Sequence, residues 1–124
     1  MFKFTNNTFH VTRGDIGSIT VKYNNGVVLN NSDISTDLIF KVYEKDELNA
    51  NPKVLKTTTI APQATEVTLI LDSDDTKSLP NPENGKEEYW YELKIGPGKT
   101  VLGYDETGAK IFYLYPSGKD EEIN

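Results

Sequence analysis

The chain has 124 residues, the size of one domain that buries its own apolar core without metal or disulfide crosslinks. It contains no cysteine and one histidine, which excludes disulfides, cysteine-based zinc sites, thiol nucleophiles and sites built from several histidines. Its formal net charge of -6 at pH 7 repels a phosphate backbone, so no nucleic acid partner is expected.

The N-terminal segment is rich in alternating aromatic and polar residues. Phe2, Phe4 and residues 8–12 predict an extended N-terminal strand, which ends at a turn over Arg13–Asp15. Neither this segment nor any other has an apolar run of the length that a signal peptide or a membrane helix needs. We therefore expect no signal peptide and no membrane insertion.

Residues 16–23 alternate apolar and polar side chains, which predicts a half-buried strand. Asn24-Asn25-Gly26 follows, and Asn-Gly between β-branched residues favours a tight hairpin because both positions tolerate positive φ. We therefore expect residues 27–29 to return as a short strand. Further on, residues 37–44 are apolar on both faces, which predicts a strand inside a sheet.

Two alternating segments, 66–71 and 89–95, are the best candidates for the centre of the core. The apolar residues that share a face in each segment are Val67, Leu69 and Leu71, then Tyr89, Tyr91, Leu93 and Ile95. Between these segments, residues 73–79 predict the one helical turn of the chain, with Ser73 or Asp74 as its cap.

The strand segments recur with turn signals every eight to twelve residues, as in a β-sandwich rather than in βαβ units. A hairpin tip is expected at residues 105–108, before a last strand over 110–115. We predict an all-β antiparallel sandwich of about seven to nine strands. It forms a single domain over residues 1–116, and residues 117–124 form a flexible tail.

Few residues suggest chemistry. His10 lies on an alternating polar strand without an obvious partner, which indicates a structural or solvent-facing role. Asp72, Asp74 and Asp75 provide oxygen ligands for calcium, but their spacing is too short for a twelve-residue calcium loop. Capping of the helical turn by Asp72 or Asp74 is the alternative.

Two further sequences match functional patterns only weakly. Arg13-Gly14-Asp15 spells an integrin-binding tripeptide, but a turn before a strand explains it as well. Glu87 and Glu88 are neighbours on a strand and point to opposite faces, so they do not form a glycosidase pair.

Aromatic residues offer a possible platform for stacking sugars. Trp90 lies on the strand face opposite Tyr89 and Tyr91, and further tyrosines follow at Tyr104, Tyr113 and Tyr115. The same rings are typical of a sandwich core, so both interpretations stay open.

The order of four pieces resembles the immunoglobulin-like N-terminal domain of upper baseplate and related tail proteins, from phages and prophages of Gram-positive bacteria. These pieces are Arg13-Gly-Asp15 before a strand, the strand 37–44 ending in a charged loop, the strand 67–71 running into Asp74-Asp-Thr-Lys-Ser-Leu79, and Tyr89-Trp-Tyr-Glu-Leu93 before a hairpin and a last strand. The resemblance reaches to about Pro116. Residues 80–88 form a longer connection than such domains usually have.

The resemblance implies an immunoglobulin-like fold and a non-catalytic role in assembling a phage or prophage tail. It implies protein–protein contacts with other tail or baseplate proteins, a possible homo-oligomer, and location in the virion tail after assembly in the bacterial cytoplasm. The expected interface residues are Phe2, Phe4 and Trp90. No catalytic residue, metal or cofactor is expected. A cell-surface carbohydrate-binding module that uses exposed aromatic rings is the alternative.

Overall fold

A computed structural model describes residues 1–118 of the chain, which form nine strands, one α-helical turn and one 3-10 turn. The strands are β1 (Phe2–Thr5), β2 (Thr8–Thr12), β3 (Gly17–Lys22), β4 (Thr36–Glu44), β5 (Val54–Ile60), β6 (Glu66–Leu71), β7 (Glu87–Ile95), β8 (Lys99–Leu102) and β9 (Ile111–Tyr115). The α-helical turn α1 (Ser73–Lys77) and the 3-10 turn Asn24–Gly26 complete the list.

The strands belong to two sheets. The larger, seven-stranded sheet has the order β1-β2-β9-β7-β4-β5, and β8 also pairs with β7. The smaller sheet is the antiparallel pair β3-β6. The prediction of a sandwich-like all-β fold is confirmed, but β2 and β9 run parallel, so the larger sheet is mixed rather than purely antiparallel.

The core lies between the two sheets. Both predicted inner faces are buried there: the exposed fraction is 9% or less for Val67, Leu69 and Leu71, and 8% or less for the inward residues of β7. Strand β4, which pairs with β5 and β7, adds Leu38, Phe40 and Val42. As predicted, β4 lies inside a sheet.

The predicted hairpin at Asn24-Asn25-Gly26 is wrong. These residues form the 3-10 turn, and β3 pairs with β6 instead of with residues 27–29, which form no strand. Leu29 and Asn30 are buried, and the Leu29 amide donates to the Ala64 carbonyl at 2.8 Å. Residues 27–30 therefore form a partly buried connection that leads from the smaller sheet to β4 of the larger sheet.

The N-terminal segment, predicted as one strand, is a hairpin. Asn6 and Asn7 have φ angles of 51° and 61°, the pair of left-handed residues that a tight type I′ turn requires. Strand β1 pairs with β2, which brings Phe4 beside Phe9. Asparagine tolerates this backbone because its short polar side chain hydrogen-bonds locally.

The helical turn was predicted correctly, and its N-cap is Asp72, one of the two residues of the capping alternative, rather than Ser73 or Asp74. The Asp72 amide donates to Asp75 Oδ2 at 2.6 Å, which satisfies one of the free donors at the start of the turn.

Near the C-terminus, Ser117 and Asn81 exchange two hydrogen bonds of 3.0 Å. Most of the tail expected over residues 117–124 lies outside the described residues.

Candidate binding surfaces

The Arg13-Gly14-Asp15 tripeptide anchors the helical turn. Arg13 Nε donates to the Leu79 carbonyl at 2.8 Å, and Arg13 Nη2 donates to the Lys77 carbonyl at 3.0 Å. The Gly14 amide, at a φ of 88°, donates to the hydroxyl of the buried Thr76 at 2.7 Å. A cation at the end of a helical turn binds its free carbonyls, so the structure gives this tripeptide an internal role.

We expect Arg13→Ala to lower the free energy of unfolding by about 1 kcal/mol, because two carbonyls at the end of α1 lose their donor. Arg13→Lys retains the charge without the fork of donors and should recover little of the loss. Urea denaturation of the three proteins measures both effects. Equal stability of Arg13→Ala and the native chain would contradict the anchoring role.

The acidic turn holds a lysine instead of forming a calcium loop. Lys56 Nζ lies 3.0 Å from Asp72 Oδ2 and 3.1 Å from Asp75 Oδ2. These hydrogen bonds raise the pKa of Lys56. Within residues 1–118 no group of three or more acidic or histidine side chains is arranged to hold a metal ion. The capping alternative is therefore the one that the geometry favours.

An apolar cleft of about 220 Å³ opens between the β1–β2 hairpin, β3 and β8. We call this opening the apolar cleft. The apolar residues that line it are Phe4, Ile19, Val21, Leu93, Val101 and Leu102. No sequence pattern marks Ile19, Val101 or Leu102 as part of a common surface, because only the fold brings β3 and β8 to the same opening. Phe4 is half-buried there and faces the core rather than open solvent.

Phe2, the other ring predicted as an interface on the N-terminal segment, packs inside the molecule. It is half-buried, and its ring centroid lies 6.2 Å from that of Phe9. The same ring covers Gly17, where a Cβ atom would lie 2.1 Å from the Phe2 ring. Phe2 therefore has internal partners, and its role at an interface stays a prediction.

A second surface is the solvent side of the larger sheet. Trp90 lies opposite Tyr43 of β4 and Ile111 of β9, and its ring centroid is 5.7 Å from that of Tyr104. The Trp90 indole donates to Glu88 Oε2 at 3.2 Å. Trp90 is half-buried, and Tyr104 is 61% exposed. The sequence therefore placed Trp90 correctly on the face opposite the core.

Further rings extend this surface across β9 and β2. His10 Nδ1 lies 2.9 Å from the Tyr115 hydroxyl, and the His10 and Tyr113 ring centroids are 5.4 Å apart. The Lys86 ammonium lies 4.0 Å from the centre of the Tyr113 ring, within the range of a cation–π contact. We call the five rings of His10, Trp90, Tyr104, Tyr113 and Tyr115 the outer aromatic face.

The charge of His10 should affect stability. Partial burial and the neighbouring cations Lys3 and Lys86 lower the pKa of His10 below its ordinary value of 6.5. The unfolded chain therefore binds this proton more readily, and stability present above about pH 6.5 is lost as the pH falls towards the folded pKa. The His10→Gln variant lacks this pH-dependent contribution to stability, because glutamine does not titrate.

We expect the urea midpoint to fall more in the native chain than in His10→Gln between about pH 8 and about pH 5.5. Carboxylates titrate in both proteins, so the difference between the two changes isolates the histidine. Parallel changes would contradict the pKa direction.

The tyrosine and carboxylate groups near these surfaces lie in different environments. Burial and a hydrogen bond with Glu92 raise the pKa of Tyr43 to about 12, which keeps its phenol neutral. Glu87 lines a cleft with Glu44 and Tyr89, whereas Glu88 lies on the outer side with Trp90. The two neighbouring glutamates therefore face opposite sides, as predicted.

Among the described residues no helix is long and apolar enough to cross a bilayer. Comparison of the sequence with protein-family models and with curated proteins finds no match.

Proposed function

We propose that this chain is a non-catalytic assembly domain of a phage or prophage tail and acts through protein–protein contacts. The observation that supports the proposal most is the apolar cleft and the two strands beside it. In the described part of the chain, β3 pairs only with β6, and β8 pairs only with β7. Each strand thus offers one unpaired edge next to apolar side chains.

Unpaired edges of this kind are templates for adding a strand from another chain. The main chain of the added strand would bond to the free edge, and its alternate side chains would enter the apolar cleft beside Val101 and Leu102. The occupant that we propose is an edge strand of a second copy of this chain. The same edge contact can be made by each further copy of the chain, as the subunits of a ring or an adaptor require.

The resemblance to immunoglobulin-like tail domains supports the same role and adds its setting. The setting that we propose on this basis is the virion tail, among other baseplate proteins, after assembly in the bacterial cytoplasm. Of the expected interface residues, Phe4 lines the apolar cleft and Trp90 lies on the outer aromatic face. Phe2 supports the hairpin that forms one wall of the cleft.

The test is sedimentation equilibrium of the full chain over a wide range of concentration. We expect reversible association, weakened about tenfold by Val101→Lys, because a charge on an edge strand blocks pairing and the cleft loses an apolar contact. Ile70→Lys is the matched control, since Ile70 is 49% exposed on the other strand of the smaller sheet. A monomer at every concentration, or equal effects of the two changes, would contradict the proposal.

A second candidate function is carbohydrate binding, and the outer aromatic face favours it. Rings that stand on a sheet, with phenol, imidazole and indole groups at their rims, combine apolar planes with hydrogen-bonding groups. A sugar that stacks there would contact Trp90 and Tyr104, whose ring centroids are 5.7 Å apart. This function and assembly use different surfaces of the sandwich, so separate variants test them.

A further inference from the structure

We infer that the ligand of the outer aromatic face is an acidic sugar chain, one that carries carboxylate or phosphate groups. The inference rests on the second proposed function, carbohydrate binding, and adds the charge of the ligand. It depends on two lysines that border the rings of His10 and Tyr113.

These lysines come from different elements. Lys3 of β1 lies directly opposite His10 in the antiparallel pair β1–β2. Lys86 precedes β7 and places its ammonium 4.0 Å from the centre of the Tyr113 ring. Both cations, after partial burial, lower the pKa of His10, as expected for positive charges near its ring. Among residues 1–118 neither lysine forms an ion pair with a carboxylate.

The carboxylates on this face already have partners. Glu88 accepts the Trp90 indole proton and lies 3.8 Å from Lys45 Nζ. Glu92 is the cross-strand partner of Lys41, and it contributes to the raised pKa of Tyr43. Glu88 is also the cross-strand neighbour of Tyr113, but its ion pair is with Lys45, so Lys3 and Lys86 stay available to an anionic ligand although the whole chain has a net charge of -6.

A sugar chain fits this combination better than other anions. A nucleic acid carries a long, regular row of charges that would extend beyond the two lysines, and the net negative charge of the chain would repel that extended row. An acidic peptide lacks rigid planes to stack on several rings, and lysine is depleted in protein interfaces. A sugar chain offers apolar faces for Trp90 and Tyr113 and a small number of anionic groups for Lys3 and Lys86.

The experiment uses trigalacturonate and its methyl ester as probes, because esterification removes the negative charge of each carboxylate and adds only a methyl group. Trp90 is the only tryptophan, so its fluorescence reports on the face directly. We expect saturable binding of trigalacturonate that weakens with added salt, and at least tenfold weaker binding of the ester. An inositol phosphate oligomer and a hexaglutamate peptide distinguish phosphate groups and peptides as the source of the anion.

Variants of the full chain locate the effect. Lys86→Gln should weaken trigalacturonate binding about threefold, and Lys3→Gln together with Lys86→Gln about tenfold, as expected for exposed charge pairs. Lys22→Gln, on the smaller sheet, is the matched control and should bind like the native chain. Trp90→Phe should retain its fold by circular dichroism.

Other results would overturn the inference. Equal binding of the ester shows that carbohydrate binding holds and that the charge preference does not. Binding of hexaglutamate as tight as that of trigalacturonate would assign the face to acidic proteins. No fluorescence change with any sugar would remove both the inference and the second proposed function, while leaving the assembly proposal untouched.

Discussion

Phe9→Ala is expected to lower the free energy of unfolding by about 4 kcal/mol, the typical cost of removing a fully buried phenylalanine. Phe9 is 0% exposed and lies at the centre of the aromatic core. Its ring centroid lies between 4.6 and 6.2 Å from five others, those of Phe2, Phe4, Phe40, Tyr91 and Phe112. The substitution leaves a cavity that strands of a sheet cannot close without breaking their hydrogen bonds.

Chemical denaturation of Phe9→Ala measures the loss, and Phe9→Leu supplies a milder variant if the alanine protein does not fold. Tyr104→Ala is the control: its side chain is 61% exposed, so its stability should stay within about 0.5 kcal/mol of the native chain. A loss below about 1 kcal/mol for Phe9→Ala would show that Phe9 does not hold the hairpin and β7 together.

Gly17→Ala is expected to cost about 2 kcal/mol, because a single added methyl group collides with a ring. The Cβ atom would lie 2.1, 2.3 and 2.4 Å from three atoms of the Phe2 ring. That ring belongs to the N-terminal hairpin, whereas Gly17 begins β3 in the smaller sheet. Relief of the collision moves the hairpin away from β3 and opens one end of the core.

A double-mutant cycle with Phe2→Ala tests this contact. We expect Gly17→Ala to cost clearly less when residue 2 is alanine, since the colliding ring is then absent. Gly98→Ala is the matched control, because no heavy atom of the described residues lies within 4 Å of its added Cβ. Identical costs of Gly17→Ala in both backgrounds would show that Phe2 does not pack on β3.

The alternation of buried and exposed side chains along β6 and β7 was predicted well from the sequence. In β6 and β7 every second residue is apolar, and these residues are the buried ones. The alternation is a local property and depends only on neighbours along one strand. Trp90, which lies between two such buried residues, could therefore be placed on the outer side of the sheet.

The pairing of the strands was not predictable in the same way. The parallel pair β2–β9 joins residues about a hundred positions apart, so no local pattern records it. At Asn24–Gly26 a strong hairpin signal is overridden because Leu29 is buried instead of continuing a ladder. Asn6 and Asn7 form the hairpin turn, but they lack the glycine that marks most such turns.

The candidate binding surfaces were likewise predictable only in part. The sequence showed that the chain is rich in aromatic residues. The pairing of β9 in the larger sheet then places Tyr113 and Tyr115 on the same side as Trp90. The contact of Lys86 with Tyr113 and the apolar cleft arise only where separate elements meet. Sequence patterns along one strand do not contain that information.

The most direct test of the account is amide hydrogen exchange on the full chain at low and high concentration. Strands β4 and β7, which have partners on both sides, should exchange slowly in both samples. The free-edge amides of β3 and β8 should exchange quickly when dilute and become protected when concentrated, as a docked strand covers them. Unchanged exchange at these two edges in an associating sample, or fast exchange throughout β7, would contradict the account.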